Sequence, residues 1–212
     1  LSRKVTVSDV FIEIRTKLQE KGLTILFESD QSYHSSALGP IAIQEDPIFW
    51  QICCTSELSQ QELTNALFEL TTSIESNYVH VASLSQFHVV YKVMGAADIL
   101  PNYFTDLADP LAASTMTLGH NRYSTNTLSS FFRVQPFSVL GHNGEINTIA
   151  KLRDEAKMIG VPIAKEGSDS QDLNRTIETF ICRHGYSLFE AIDIVFPPII
   201  NEMKEYPDHL QD

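Results

Sequence analysis

Residues 119–127 read Gly-His-Asn-Arg-Tyr-Ser-Thr-Asn-Thr, and residues 141–148 read Gly-His-Asn-Gly-Glu-Ile-Asn-Thr. Each polar stretch adjoins an apolar run that predicts a strand, at Thr115–Arg122 and at Pro136–Leu140. Dense polar groups at strand ends indicate a site that is built on a rigid sheet and not a solvated loop. The interpretation of both fold and function therefore begins at these stretches.

Residues of three kinds suit the binding of an amino acid and the polarisation of an amide. Asn143-Gly144, in a predicted strand-to-helix turn, offers a side-chain amide beside a backbone N–H, a donor pair that stabilises an oxyanion in acyl transfer. Arg122 offers a planar fork for a carboxylate. Asp169 lies at a predicted helix start, where it is favoured by the helix dipole and is also able to hold a ligand ammonium.

Each of these residues has a plainer interpretation when it is taken alone. An Asn-Gly pair is more often a turn, Arg122 more often a structural ion pair, and Asp169 a simple first-turn charge. The histidines His120, His142 and His184 have neither ligand spacing nor an acidic partner set, so we expect no metal site.

The rest of the sequence predicts one α+β domain over residues 1–212 with several antiparallel strand pairings. Apolar periodicity and capping boxes predict helices, and β-branched runs predict strands. The predicted helices cover Val10–Leu18, the segments after Ser59, Gly144 and Ser168, Leu188–Phe196 and Ile199–Tyr206. The further predicted strands are Leu23–Glu28, Ile48–Cys54 and a hairpin of Tyr78–Leu84 with Phe87–Val93.

The charge, the hydropathy and the cysteine content of the sequence argue against several classes of function. The net charge of −12 and the lack of a Lys/Arg cluster argue against nucleic-acid binding, and no run approaches the length of a membrane span. Cys53, Cys54 and Cys182 form neither a disulfide framework nor a zinc motif, and we expect them to be small buried hydrophobes in a cytoplasmic protein.

Four sequence blocks, in this order and spacing, resemble the class II glutamine amidotransferase domain of glutamate synthase large subunits. They are His120–Thr127, Gln135-Pro-Phe137, His142–Thr148 and Gly167-Ser-Asp-Ser170. The resemblance implies an N-terminal-nucleophile-hydrolase fold, in which antiparallel sheets lie between helical layers. It also implies L-glutamine as substrate, hydrolysis through a thioester, and transfer of the ammonia to downstream synthase domains that carry FMN and an iron–sulfur cluster.

The resemblance assigns roles that agree with the chemistry of the side chains. Arg122 would bind the α-carboxylate of glutamine and Asp169 its α-ammonium. The Asn143 side chain and the Gly144 N–H would form the oxyanion hole. Three further substrate-binding positions follow from the same blocks, namely Ser124, Thr125 and His142.

The sequence departs from the family at the nucleophile. Such domains begin with a Cys whose own α-amino group is the base, whereas residue 1 is Leu. We therefore expect an internal piece of the domain, incomplete at both ends. Val93 replaces the usual Gly after Tyr-Lys, and the linker between Thr148 and Gly167 is shorter than usual. The alternatives are a catalytically inactive module that senses glutamine or glutamate, and a purely structural domain.

We expect the 212-residue chain alone to release no ammonia from glutamine, because none of its cysteines carries a free α-amino group. A coupled assay for ammonia on the purified chain measures this. Clear turnover would contradict the missing-nucleophile interpretation.

Overall fold

A computed structural model describes residues 6–121, 131–135, 137–141, 146, 148–164, 167–197, 204 and 207. The chain divides into two compact units, residues 1–144 and residues 145–212. Helices and an antiparallel sheet both occur, so the α+β class is confirmed, while the layering of sheets between helices stays a prediction. None of the helices among the described residues is both long and apolar enough to cross a membrane.

In the first unit, two helices and a short sheet follow the predicted pattern. Helix α1 (Val7–Glu20) begins at a capping box of Thr6 and Asp9. Gly22 follows it with a φ of 78°, a conformation that glycine adopts without strain. Helix α2 (Gln60–Ile74) begins at the predicted Ser59–Glu62 capping box, which is confirmed.

The sheet of this unit has two antiparallel strands within the described residues, β1 (Leu23–Ser29) and β2 (Gln51–Ser56). The register shifts between Ile25 and Phe27, which leaves Leu26 as a bulge residue without a cross-strand partner. Leu26 and Phe27 are 65% and 62% exposed. Cys53, opposite Phe27, is also exposed, so the expectation that this cysteine is buried was wrong.

The core of the first unit lies between α1, α2 and the inner face of the sheet. Leu18 and Leu70 are almost completely buried there, and each such side chain contributes about 1.5–3 kcal/mol through the hydrophobic effect. The other buried members of the cluster are Ile14, Leu23, Leu67 and Ile74.

A second, aromatic cluster surrounds the short helix α3 (Leu100–Tyr103). Phe104 and the Tyr103 ring are buried, and Phe49 makes edge-on contacts with both rings at 5.1 and 5.9 Å between centroids. The Tyr103 hydroxyl donates to Asp46. Burial is the main cause of a raised pKa of this phenol, and the contact with Asp46 is the second cause. The Tyr91 hydroxyl donates to Asp106 in the same way, so both phenols have a polar partner.

The predicted hairpin of Tyr78–Leu84 and Phe87–Val93 was wrong, since residues 78–93 are fully described and contain no strand. Two serine hydroxyls accept backbone N–H groups that a strand ladder would use. The Val90 N–H donates to Ser83 Oγ at 3.0 Å, and the Phe87 N–H donates to Ser85 Oγ at 3.1 Å. Such local bonds compete with sheet formation.

The predicted strands Thr115–Arg122 and Pro136–Leu140 were also wrong wherever they can be compared. Residues 115–121 and 137–140 are described and contain no strand. Arg122 and Pro136 lie outside the described residues.

Within the part of the first unit that the structure describes, one charged side chain is buried. Lys92 is 5% exposed, and its Nζ lies 3.1 Å from Nε2 of His80. An ammonium only donates, so Nε2 accepts from charged Lys92 and the imidazole proton lies on Nδ1, which is 3.4 Å from Oε1 of Glu75. Burial lowers the pKa of Lys92 to about 8, although the charge of Glu75 acts in the opposite direction.

The second unit consists of three helices in its described part: α4 (Ile149–Met158), α5 (Asp169–Cys182) and α6 (Leu188–Val195). All three confirm predicted helices. The predicted capping box of Ser168 with Gln171 is present, and Ser187 forms another with Glu190. Most residues of the predicted last helix, Ile199–Tyr206, lie outside the described residues.

Lys92 should make the stability of the chain depend on pH. Between pH 8 and 10 the unfolded chain binds a proton that the folded chain has lost, so this group makes the free energy of unfolding rise with pH. Relative to Lys92→Met, the wild type should gain about 2 kcal/mol over this range. Urea unfolding at pH 7, 8, 9 and 10 measures the difference. Parallel pH profiles for the two proteins would contradict the assignment.

Candidate functional site

Of the predicted site residues, the structure describes Asp169. The others lie outside the described residues: Arg122, Ser124, Thr125, His142, Asn143 and Gly144.

Asp169 is the first residue of α5, and its side chain is half-buried. Ser168 caps the helix, since its Oγ accepts the Gln171 N–H at 3.2 Å and its own N–H donates to Gln171 Oε1 at 3.3 Å. Asp169 Oδ1 accepts the Ser170 N–H at 2.7 Å and lies 3.2 Å from the Ser170 hydroxyl, which also donates to it. The backbone and the carboxylate at this helix start are thus both held by local bonds.

An ion pair joins α4 to the first turn of α5. The Arg153 Nε donates to Asp172 Oδ2 at 2.6 Å, and its Nη2 donates to the carbonyl oxygen of Gly167 at 3.0 Å. The Asp172 side chain is 1% exposed, whereas that of Arg153 is 35% exposed. Arg153 therefore holds the residues on both sides of Asp169, one before it and one after it.

Gly167 is required by the close approach of Asp172. A Cβ added at Gly167 would lie 2.6 Å from Asp172 Oδ1, closer than van der Waals contact allows. The carboxylate cannot retreat without lengthening its bond to Arg153, because its other oxygen is the one bound there. This contact gives a physical reason for the glycine that opens the Gly-Ser-Asp-Ser block.

The carboxylates of Asp169 and Asp172 lie in different electrostatic surroundings, although both are in the first turn of α5. Burial raises the pKa of Asp172, while the hydrogen bond and charge of Arg153 lower it and the charge of Asp169 raises it. Arg153 thus compensates the buried carboxylate of Asp172. The half-buried carboxylate of Asp169 is suited to a cationic group such as an ammonium.

Sequence reasoning missed Arg153 and Asp172. An Asp in the first helical turn is common for reasons of the helix dipole, so Asp172 gave no distinguishing signal. The one available indication was the position of Asp172 next to Leu173, on the side of α5 that is buried.

Among the described residues, no group of three His, Cys, Asp or Glu side chains is placed to hold a metal ion. Cys53 and Cys54 are adjacent on β2 with different exposures, and Cys54 has a pKa that burial raises. Three cysteines in the whole sequence cannot supply the four thiolates of a typical iron–sulfur cluster.

A family model described as "Glutamine amidotransferases class-II" matches residues 3–212. The chain belongs to this family. The predicted class II amidotransferase resemblance is thereby confirmed over almost the whole sequence.

The relatives of this class-II glutamine amidotransferase chain include glutamate synthases from distant organisms. It is 29% identical over 223 residues to "Glutamate synthase [NADH]" of Schizosaccharomyces pombe, covering 91% of this chain and 11% of that protein. It is 30% identical over 227 residues to "Ferredoxin-dependent glutamate synthase 2" of Synechocystis, covering 95% and 14%. The chain thus spans about a seventh or less of the length of these relatives.

Removing the Arg153 side chain should destabilise the second unit. We expect Arg153→Met to lower the free energy of unfolding by about 2 kcal/mol at pH 7, less than the ~3–5 typical of a fully buried pair because Arg153 is partly exposed. The loss should shrink at acidic pH, since protonation of Asp172 removes the buried charge. Urea unfolding at pH 7 and pH 4 measures both effects.

The matched control is Lys151→Met, on the same helix and 77% exposed at its side chain. Its expected effect is below about 0.5 kcal/mol. Equal effects of the two substitutions would contradict the role given to Arg153.

Proposed function

We propose that the chain is the glutamine-binding part of a glutamate-synthase-type amidotransferase, which hydrolyses glutamine to glutamate and passes on ammonia for glutamate synthesis. The observation that carries the proposal is the family match over residues 3–212, within which Arg122, Asn143, Gly144 and Asp169 are all present.

The proposed roles follow the charges of the substrate. Arg122 binds the α-carboxylate through its planar fork, and Asp169 binds the α-ammonium. Ser124, Thr125 and His142 complete the contacts with glutamine. Fixing both ends of the amino acid places the side-chain amide in one position, which lowers the entropic cost of reaction.

The proposed reaction is a nucleophilic acyl transfer. In the family a thiolate attacks the amide carbon, and the negative charge that develops on the oxygen is stabilised by the Asn143 side chain and the Gly144 N–H. The α-amino group that took the thiol proton gives it to the leaving nitrogen, so collapse of this intermediate expels ammonia and leaves a thioester. Water then hydrolyses the thioester to glutamate and the free thiol. The part of the 212 residues in this reaction is to bind glutamine and stabilise the oxyanion.

The described geometry supports the role of Asp169. An ammonium-binding carboxylate must be held in place. The capping box of Ser168 and the bonds from Ser170 restrain it, and Arg153 compensates the neighbouring carboxylate of Asp172. The carboxylate of Asp169 is thus held by local bonds in a turn that Arg153 also fixes.

The remaining parts of the proposed enzyme lie beyond these residues. The names of the relatives include NADH and ferredoxin. FMN and an iron–sulfur cluster would belong to downstream synthase domains. Those domains would receive the ammonia. We also propose that residues 1–212 act as one domain of a cytoplasmic enzyme.

Substitution of the charged residues should weaken glutamine binding. We expect Arg122→Met and Asp169→Asn each to raise the Kd for glutamine by about 30-fold or more, since losing one partner of a desolvated charge pair costs about 2–5 kcal/mol. Isothermal titration with the full-length natural product measures Kd, and Lys151→Met is the control. A Kd within about threefold of the wild type for both variants would overturn the proposed site.

Labelling of the same full-length product with a glutamine-analogue diazo-ketone tests the chemistry separately. Peptide mapping of an adduct to an N-terminal Cys would support the amidotransferase. Binding of glutamine that depends on Arg122, with no adduct at any residue, would instead identify the sensing module.

A further inference from the structure

The buried Lys92 lies against the segment that joins the two main blocks of the proposed site. Its Nζ is 5.4 Å from the centroid of the Phe137 ring, a cation–π contact. Phe137 belongs to the Gln135-Pro-Phe137 block, and in the chain it comes five residues before His142. Lys92 is therefore in contact with the segment that leads directly into the proposed oxyanion-hole residues.

The partner of Lys92 touches the other end of the same segment. The His80 ring packs edge-on against Phe132, with 5.2 Å between centroids and an interplanar angle of 83°. Phe132 follows the block that contains Arg122, Ser124 and Thr125. The bonded pair of His80 and Lys92 thus contacts both ends of residues 132–137, one ring at each end.

This pair is itself fixed to a helix. Glu75 is the C-cap residue of α2, and its Oε1 lies 3.4 Å from Nδ1 of His80. The side chains of His80 and Glu75 are 19% and 14% exposed, so the whole chain of contacts is largely removed from water. Charge–dipole and cation–π contacts are stronger and more directional in such a site than at an exposed one.

Packing alone does not account for an ammonium in this place. Burying a cation costs free energy that an apolar side chain of similar length would not cost. A charged group has a defined orientation in such a place, because it must contact both a hydrogen-bond acceptor and the face of an aromatic ring. His80 Nε2 and the Phe137 ring supply these two partners.

We propose that Lys92 is a positioning residue for the glutaminase reaction, acting through Phe137, which precedes the Asn143-Gly144 pair by six residues in the sequence. The inference rests on the proposed function and adds to it a residue outside the four blocks. Lys92 is not expected to touch glutamine. Its loss should therefore lower kcat, which depends on the oxyanion hole, more than it raises KM, which depends on Arg122 and Asp169.

The test is steady-state glutaminase kinetics with the full-length natural product. We expect Lys92→Met to lower kcat by roughly 10- to 100-fold, because small displacements of oxyanion donors have effects of this order. KM should change by less than about threefold if binding and chemistry are separated in this way. Lys92→Arg, which keeps the cation, should recover most of kcat, and Lys151→Met is the matched control on an exposed lysine.

A double-mutant cycle distinguishes positioning through Phe137 from a general structural role. If Lys92 acts through this ring, Phe137→Leu should lower kcat to a similar extent, and the double variant should lose little more than either single variant. Additive losses in kcat would overturn the proposal. So would an unchanged kcat in Lys92→Met, or equal losses in Lys92→Met and Lys92→Arg.

Stability and activity are separated by measuring urea unfolding of every variant. Lys92→Met removes a buried charge, so a folded variant with reduced kcat supports positioning. If this variant does not fold, Phe137→Leu decides the matter alone, since it keeps Lys92 and its bond to His80, and an unchanged kcat in it overturns the inference. A wild-type product without glutaminase activity overturns the proposed function and this inference with it, whereas an active wild type beside an unaffected Lys92→Met overturns the inference alone.

Discussion

The ion pair of Arg153 and Asp172 is the interaction on which the described part of the second unit depends. It joins α4 to α5, compensates a carboxylate that is 1% exposed, and holds the carbonyl oxygen of Gly167 with the same guanidinium. The first turn of α5 is thereby fixed on both sides of Asp169. An arginine on one helix thus adds to the local bonds that hold a proposed ligand-binding carboxylate on another helix.

The first unit also contains a buried charge with specific partners, but this charge is positive. Lys92 is a buried cation whose partners are an imidazole and an aromatic ring, and the charge of Glu75 lies beyond the imidazole. Buried charges are poor contributors to stability, because desolvation offsets much of the attraction. Their use in both units is consistent with a requirement for fixed geometry at the expense of stability.

The helices were largely predictable from the sequence, because their signals are local. A capping box satisfies the free N–H groups at the start of α2 (Ser59 with Glu62) and of α5 (Ser168 with Gln171). The pattern of a few residues therefore determines where these helices begin. The prediction of a hairpin at residues 78–93 was wrong because the hydroxyls of Ser83 and Ser85 accept backbone N–H groups that a strand ladder would need. A composition rich in β-branched residues does not reveal this competition. The pairing of Arg153 with Asp172 spans 19 residues and depends on the packing of two helices, so no local pattern predicts it. All residues of the proposed site were predicted from the sequence, and the structure adds the surroundings of Asp169.

The bulge at Leu26 has a consequence for the behaviour of the chain in solution. It leaves Leu26, Phe27 and the thiol of Cys53 together on the outer side of a sheet that has two strands within the described residues. Each strand of this pair has an edge that no other strand of the described residues covers, and an open strand edge is a template for adding strands from another molecule. Apolar side chains beside an open edge favour self-association at high concentration, and an exposed thiol next to them allows oxidation to make such contacts covalent. Purification of the isolated chain therefore calls for a reducing agent and low protein concentration.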